Sequence, residues 1–256
     1  MKVSLKRRDY HKYLWKSGEL PAAVGKSAVV VGTLAYFFYR SVWSLFPLSV
    51  VGVAFFYNLR QQKINAAREE LTIQFKECIL SVSSALKAGY AVENAFLESR
   101  ADMLVLYGED SMIYSELELI RRGLVINITL EEQLMDLADR SGCVEIAQFA
   151  QVFVIAKRNG GNIPEIIRAS SELIGRRIAA RQEMLTLLSG RKMEQNIMKL
   201  MPFGILFYVG VSNPGYFDVL YHNWQGVAIM TVCLVVYLGA CVLGDYILKR
   251  ISREIG

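Results

Sequence analysis

Two long apolar blocks constrain this chain more than any other feature of its sequence. Between Met201 and Leu248 there is no lysine or arginine, and the only acidic residues are Asp218 and Asp245. Apolar blocks of this length are typical of membrane-spanning segments, because one hydrocarbon core needs about 20 helical residues. The sequence therefore excludes a fully soluble enzyme and predicts an integral membrane protein.

The first apolar block covers residues 21–59 and is too long for a single span. It predicts a hairpin of two short helices at 22–39 and 42–57, with Arg40 at the outer turn and Lys26 reaching the inner surface. One tilted span followed by an interfacial segment is the alternative. The second block predicts two more spans, at 197–211 and 227–247, separated by the turn sequence SNPGY. The expected fold is therefore all-α, with four transmembrane helices.

Basic residues flank the apolar blocks on one side of the predicted membrane. The first 26 residues carry seven of them against Asp9 and Glu19, and the tail at 249–256 carries three against Glu254. Residues 212–225, between the last two spans, carry none. The positive-inside rule therefore predicts a multi-pass protein of the cytoplasmic membrane with both termini in the cytoplasm. The same rule accounts for the net charge of +5 without nucleic-acid binding.

The hydrophilic middle of the chain, residues 60–196, holds 17 of the 29 basic and 19 of the 24 acidic groups. Apolar residues at steps of three or four from Ile64 to Ala85 predict a helix that ends at Gly89. Further glycine and capping signals predict five more helices and hence one cytoplasmic six-helix bundle. The predicted division is a basic N-terminus at 1–20, a hairpin at 21–59, the bundle at 60–196, a hairpin at 197–248 and a tail at 249–256.

Local signals set the predicted helix ends inside the bundle. The second and third helices are expected at 91–106 and 110–122, with Gly108 and Gly123 as their stops. Thr129 and Glu132 form a capping box that opens a fourth helix, which ends near Gly142. A fifth helix at 144–158 is apolar on most faces and is expected at the centre of the bundle. A sixth, capped by Asn162, is expected at 163–194.

The sequence offers no catalytic constellation. The two histidines, His11 and His222, lie outside the bundle, which excludes a histidine-based triad or zinc site there. No catalytic residue, cofactor or metal is predicted, and we expect no enzyme activity. The remaining polar groups have structural interpretations. The four cysteines are expected to be buried thiols: Cys78, Cys143, Cys233 and Cys241. Four glutamates are expected on a solvated face with ion pairs: Glu69, Glu70, Glu116 and Glu118. Asp245 is expected to pair with Lys249 or to reach water, with a proton relay as the alternative.

Two features of the sequence have a possible role in binding a partner. The sequence KRNGG at 157–161 ends one helix and starts the next, and Lys157 has no evident acid–base partner. Its functional interpretation is a contact loop around Arg158, Gly160 and Gly161, where small residues permit close approach. A cluster of arginines on the sixth helix is either a solvated face or a site for an acidic partner or anionic lipid heads. This cluster consists of Arg176, Arg177 and Arg181.

An ordered set of motifs over residues 60–250 resembles the type II secretion system F family. The resemblance is greatest to the single-repeat TadB/TadC-like members of tight-adherence (Flp) pilus systems. The motifs are FKECILSVSSALKAGYAVENAF at 75–96, YSEL at 114–117 leading to Gly123, LADRS at 137–141, GGNI at 160–163, SGR at 189–191, LMP at 200–202 and NPGY at 213–216 followed by Gly226.

This resemblance implies a non-enzymatic platform in the inner membrane. It implies pilin subunits and a hexameric secretion ATPase as partners, with self-association or a paralogous platform subunit completing the assembly. It also implies that Arg140, Arg158, Gly160 and Gly161 affect assembly more than folding. The alternatives are a transporter or channel subunit with a cytoplasmic helical domain, or a membrane-anchored enzyme or sensor. The spans carry few charged groups, which weighs against a transporter.

Overall fold

The computed structural model of the chain describes residue 10 and residues 19–38, 45–213 and 224–254. All regular secondary structure in this part of the chain is α-helical, which confirms the all-α prediction. The helices are α1 (Glu19–Phe38), α2 (Leu45–Lys87), α3 (Val92–Tyr107), α4 (Met112–Val125), α5 (Leu130–Ser141), α6 (Val144–Arg158), α7 (Ile163–Ser212) and α8 (Trp224–Glu254).

Capping residues determine most helix ends within 87–163, as the sequence predicts. The Thr129 hydroxyl accepts a hydrogen bond from the Glu132 N–H at 3.3 Å and so begins α5. The same helix ends at Gly142, which adopts the left-handed conformation with φ 60°. Helix α6 has the predicted bounds.

The predicted stop at Gly123 is wrong, because α4 continues to Val125. Gly123 is buried inside the helix, where an added Cβ would overlap the side chain of Gln133 on α5. The glycine therefore permits close approach of two helices. The chain turns later, at Asn127, whose φ of 61° is left-handed.

Helices α2 and α7 each join two segments that the sequence analysis treats separately. Helix α2 has 43 residues and runs from the predicted second span into the first helix of the predicted bundle. Helix α7 has 50 residues and continues into the predicted third span, with Pro202 inside it. The apolar-to-polar change in composition therefore occurs within unbroken helices.

The chain divides into two compact units. Unit 1 comprises Met1–Leu14 and Arg60–Ala179, and unit 2 comprises Trp15–Leu59 and Ala180–Gly256. In unit 1, helices α2 to α6 and the first part of α7 each place apolar side chains in one shared core, to which Tyr10 also belongs. Burial of apolar side chains in this core stabilises unit 1, at roughly 25 cal/mol per Å² of apolar surface removed from water.

Helix α6 contributes the aromatic centre of unit 1. The rings of Phe149 and Phe153 stack at 5.9 Å, and Phe149 meets Phe75 of α2 edge-on at 5.3 Å. The opposite face of α6 is exposed, including Val152 at 45% and Ile155 at 60%. The prediction that this helix lies at the bundle centre is therefore correct for one face only. The other face remains available as a surface.

Unit 2 has a smaller apolar core, in which Leu34 and Ala35 of α1 meet Leu48 of α2 and Met230 and Leu234 of α8. Polar contacts join α7 to α8 in the same unit. Lys199 Nζ donates to Asp245 Oδ1 at 2.6 Å, and the Tyr237 hydroxyl donates to the Lys199 carbonyl at 3.0 Å. Asp245 is thus paired with Lys199, a contact that the sequence does not predict, and the side chain of the predicted partner, Lys249, lies outside the described residues.

One segment of the described chain, Gln225–Leu248 in α8, is long and apolar enough to cross a membrane, with a mean hydropathy of 2.5. The apolar part of α1, Pro21–Ala35, is shorter. The predicted outer turns at Arg40 and at 214–216 lie outside the described residues. Four transmembrane helices, the cytoplasmic termini and the predicted domain boundaries therefore stay predictions.

Candidate functional site

The turn between α6 and α7 is an exposed helix reversal held by main-chain and side-chain caps. The N–H of Asn159 donates to the Ile155 carbonyl at 3.0 Å, and the N–H of Gly161 donates to the Ala156 carbonyl at 2.9 Å. Asn162 Oδ1 accepts from the Glu165 N–H at 3.4 Å, as predicted for the cap of the next helix.

Glycine is favoured at the first position of this turn, whereas the second position leaves ordinary van der Waals room for a Cβ. Gly160 has φ +67°, a conformation that a side chain disfavours. A Cβ on Gly161 would lie 3.4 Å from the Ala156 carbonyl oxygen. Both glycines and Arg158 are exposed, so the turn presents a narrow strip of bare backbone beside a cation.

Lys157, at the start of this turn, makes ion pairs with two other helices of unit 1. Its Nζ donates to Glu93 on α3 at 2.7 Å and to Glu131 on α5 at 3.1 Å. Burial lowers the pKa of Lys157, but the two carboxylates outweigh burial and raise it, and the hydrogen bond from Lys157 lowers the pKa of Glu93. Neither partner is evident from the sequence around Lys157, because both lie on other helices.

An open groove runs between α5 and α6, next to the turn. Its volume is about 590 Å³. We call it the acidic groove, because four carboxylates line it together with Arg158 and apolar side chains that include Ile155. The carboxylates belong to Glu131, Glu132, Asp136 and Asp139. Exposed apolar surface lined mainly by carboxylates is suited to a basic, amphipathic protein segment.

Arg140 is largely internal, with its side chain 16% exposed. Its guanidinium donates to both carboxylate oxygens of Glu116, at 2.7 and 3.0 Å, and its Nε donates to Asp136 at 2.8 Å. Burial lowers the pKa of Arg140, but the hydrogen bonds and charges of Glu116 and Asp136 outweigh it and raise the pKa. A cavity of about 350 Å³ between α4 and α5 opens beside this pair.

The solvated-face interpretation of Glu116 is wrong, because only 2% of its side chain is exposed. Tyr10, far away in sequence, donates its hydroxyl to Glu116 Oε1 at 2.9 Å. No local signal could have indicated this contact. Glu118 makes the predicted ion pairs, since it accepts from the exposed Arg121 and Arg122, and the hydrogen bond from Arg121 lowers its pKa, but its side chain is only 12% exposed.

The three arginines of the predicted cluster are all exposed on α7, and their role as a binding site stays a prediction. Arg176 and Arg177 are exposed on the part of α7 that belongs to unit 1, whereas Arg181 belongs to unit 2. Arg177 Nη1 donates to Gln148 on α6 at 2.8 Å. Arg158, Gly160 and Gly161 lie together at the turn, and Arg140 lies apart from them, inside the α4–α5 pair.

The thiols differ in environment. Cys78 and Cys143 are buried as predicted, and burial raises the pKa of Cys78 to about 12 and also raises that of Cys143. The prediction is wrong for Cys233, which is exposed, and Cys241 is half-buried. In the described ranges, no three histidine, cysteine, aspartate or glutamate side chains come together as metal ligands.

Comparison with known proteins assigns no family. No protein-family model, curated protein or solved structure gives a significant match to the chain. The geometry of the turn and the acidic groove therefore carries the functional argument.

Proposed function

We propose that this chain is an inner-membrane platform protein of a type IV (Tad/Flp-like) pilus or type II secretion machine. In this role it couples a cytoplasmic secretion ATPase to pilin assembly. The observation that carries the proposal is the combination, in unit 1, of an exposed Gly-Gly turn with an adjacent acidic groove. Both belong to a helical body whose α2 and α7 continue into apolar helical segments. This arrangement suits a protein that transmits contacts rather than one that performs chemistry.

Tyr10 supports a hairpin for the first apolar block. It packs in the core of unit 1 with residues from Arg60–Ala179, so that the residues on either side of the block lie on one side of any membrane. Two crossings by the chain between them would keep both flanks on that side, whereas a single crossing would not. This favours two spans over the single tilted span, and the positive-inside rule makes the shared side cytoplasmic.

A topology test follows from this proposal. We expect a cysteine at position 215 to react with a membrane-impermeant maleimide in intact cells. An Asn127→Cys variant should react only after permeabilisation, because Asn127 lies in the exposed α4–α5 turn of unit 1. Both variants are made with Cys233 and Cys241 replaced by serine. Labelling of both engineered positions from outside, or of neither, would contradict four spans with a cytoplasmic unit 1.

The function is tested by purifying the tagged chain from its native host in detergent and identifying bound proteins by mass spectrometry. We expect a secretion ATPase and a related platform subunit. Gly160→Trp should reduce recovery of the ATPase at least tenfold, because the indole blocks the turn.

Gly89→Trp is the matched control, because Gly89 also has a positive φ, +94°, and open space around its Cβ. Both variants carry a similar backbone cost of about 1–2 kcal/mol, so their folding should be affected alike. Equal recovery by the two variants would remove the turn from the interface. Absence of both partners from the wild-type preparation would contradict the platform function.

A transporter or channel subunit is the second candidate, and the Lys199–Asp245 pair favours it. Charged groups inside apolar helices often mark ion paths. The Asp245 side chain is 53% exposed and lies near the end of the Gln225–Leu248 segment, where a charge can also reach the membrane surface. Recovery of a secretion ATPase is expected only for the platform.

A further inference from the structure

Tyr10 occupies a built binding position on unit 1. Only 6% of its surface is exposed. Its N–H donates to the Arg140 carbonyl at 3.1 Å, and its hydroxyl donates to Glu116 Oε1 at 2.9 Å. The Tyr10 ring is thus removed from water, while its N–H and its hydroxyl both have hydrogen-bond partners. Buried aromatic side chains with satisfied polar groups are typical of the residues that anchor one protein segment on another.

The surface beside this position carries negative charge. The α4–α5 cavity next to the Glu116–Arg140 pair and the acidic groove lie on either side of α5, and Glu132 and Asp136 of that helix line both. The Glu132 and Asp139 side chains are exposed along α5. On the other wall, Ile155 offers apolar surface.

The segment that contains Tyr10 has the opposite charge. Residues 1–18, which we call the leader, carry a single acid, Asp9, against six basic residues: Lys2, Lys6, Arg7, Arg8, Lys12 and Lys16. The anchor is therefore embedded in a strongly basic sequence and binds next to a row of acids. Opposite charges on two surfaces favour docking in one orientation and discourage other partners.

We propose that the acidic groove is a docking surface for the chain's own leader, with Tyr10 as the anchor. In the docked state, the leader is withheld from anionic lipid heads, and any other basic segment that binds the groove must first displace it. The inference concerns this chain alone and does not rest on the proposed function.

The test measures trypsin cleavage within the leader of the full-length, detergent-solubilised protein. Cleavage after Arg7, Arg8 and Lys12 is followed by mass spectrometry. We expect Tyr10→Ala to raise the cleavage rate at least tenfold, because the ring and both contacts with α4 and α5 are weakened or lost. Tyr10→Phe, which loses only the hydroxyl contact, should give an intermediate rate.

A charge variant keeps the test independent of core packing. Glu132→Ala combined with Asp139→Ala removes two exposed acids of the groove and should also raise the rate several-fold. Glu109→Ala combined with Asp110→Ala is its matched control, because these acids are exposed in the α3–α4 loop. The control should leave the rate unchanged.

The leader's binding is also measured directly. A synthetic peptide of residues 1–18 should bind the Tyr10→Ala protein and show at least tenfold weaker binding to the same variant when it also carries Glu132→Ala and Asp139→Ala. Equal cleavage in wild type, Tyr10→Ala and the groove variant would overturn the proposal. Protection that rises with protein concentration would overturn docking within one chain and assign the leader to a second copy.

Discussion

We expect Arg140→Met to lower the free energy of unfolding of unit 1 by about 3–5 kcal/mol. The substitution leaves Glu116, 2% exposed, without its bidentate partner. A buried carboxylate that loses its cation keeps the full cost of its lost hydration. Native-state hydrogen exchange at the amides of α4 and α5 measures the change.

Removing both charges should recover most of this loss. In the triple variant Tyr10→Phe, Glu116→Leu, Arg140→Met, no buried charge or hydroxyl is left without a partner, and apolar replacement of a buried pair is often neutral. Arg122→Met is the surface control, because this arginine is 49% exposed in its pair with Glu118. It should change stability by less than about 1 kcal/mol. An equal loss in the Arg140 and Arg122 variants would contradict the internal role of Arg140.

The second large effect concerns α6, whose two faces should respond differently to truncation. Phe153 is fully buried between Phe149 and Phe96, so Phe153→Ala is expected to cost about 3–5 kcal/mol through lost burial and the cavity left behind. Ile155→Ala, two residues later and 60% exposed, should change stability by less than about 0.5 kcal/mol.

The variants Phe153→Ala and Ile155→Ala also distinguish an effect on folding from an effect on partner binding. Because Ile155 lines the acidic groove, its alanine variant should retain wild-type hydrogen exchange while losing recovery of the proposed protein partners. The two measurements are hydrogen exchange of α6 and co-purification from the native host. A large stability loss for Ile155→Ala, or unchanged recovery of partners, would remove this face of α6 from the binding surface.

Local signals predicted the helices where a few neighbouring residues decide the outcome. The bounds of α6, the cap at Thr129 and the stops at Gly108 and Gly142 depend on interactions within about four residues. Gly123 shows the limit of such signals. A glycine there indicates either a helix end or a close helix contact, and the position of Gln133 on α5 decides between them.

The candidate site was less predictable than the helices. The turn at Arg158, Gly160 and Gly161 could be located from the local sequence, because two adjacent glycines between helical segments indicate that one helix ends there and the next begins. The acidic groove could not, because its carboxylates and Ile155 come from two helices whose facing sides depend on packing. Lys157 was left without partners for the same reason: Glu93 and Glu131 are brought to it by the packing of α3 and α5.

The sequence by itself determined the all-helical architecture, the placement of the apolar blocks and most helix ends. These follow from periodicity, capping and hydropathy, which act over one or two helical turns. Only the tertiary structure decided that Glu116 and Arg140 are an internal pair, that Asp245 contacts Lys199 and that Tyr10 completes the core of unit 1. Such contacts join residues far apart in the chain. They form because the packing of apolar helix faces brings these residues within the distance of a hydrogen bond or an ion pair.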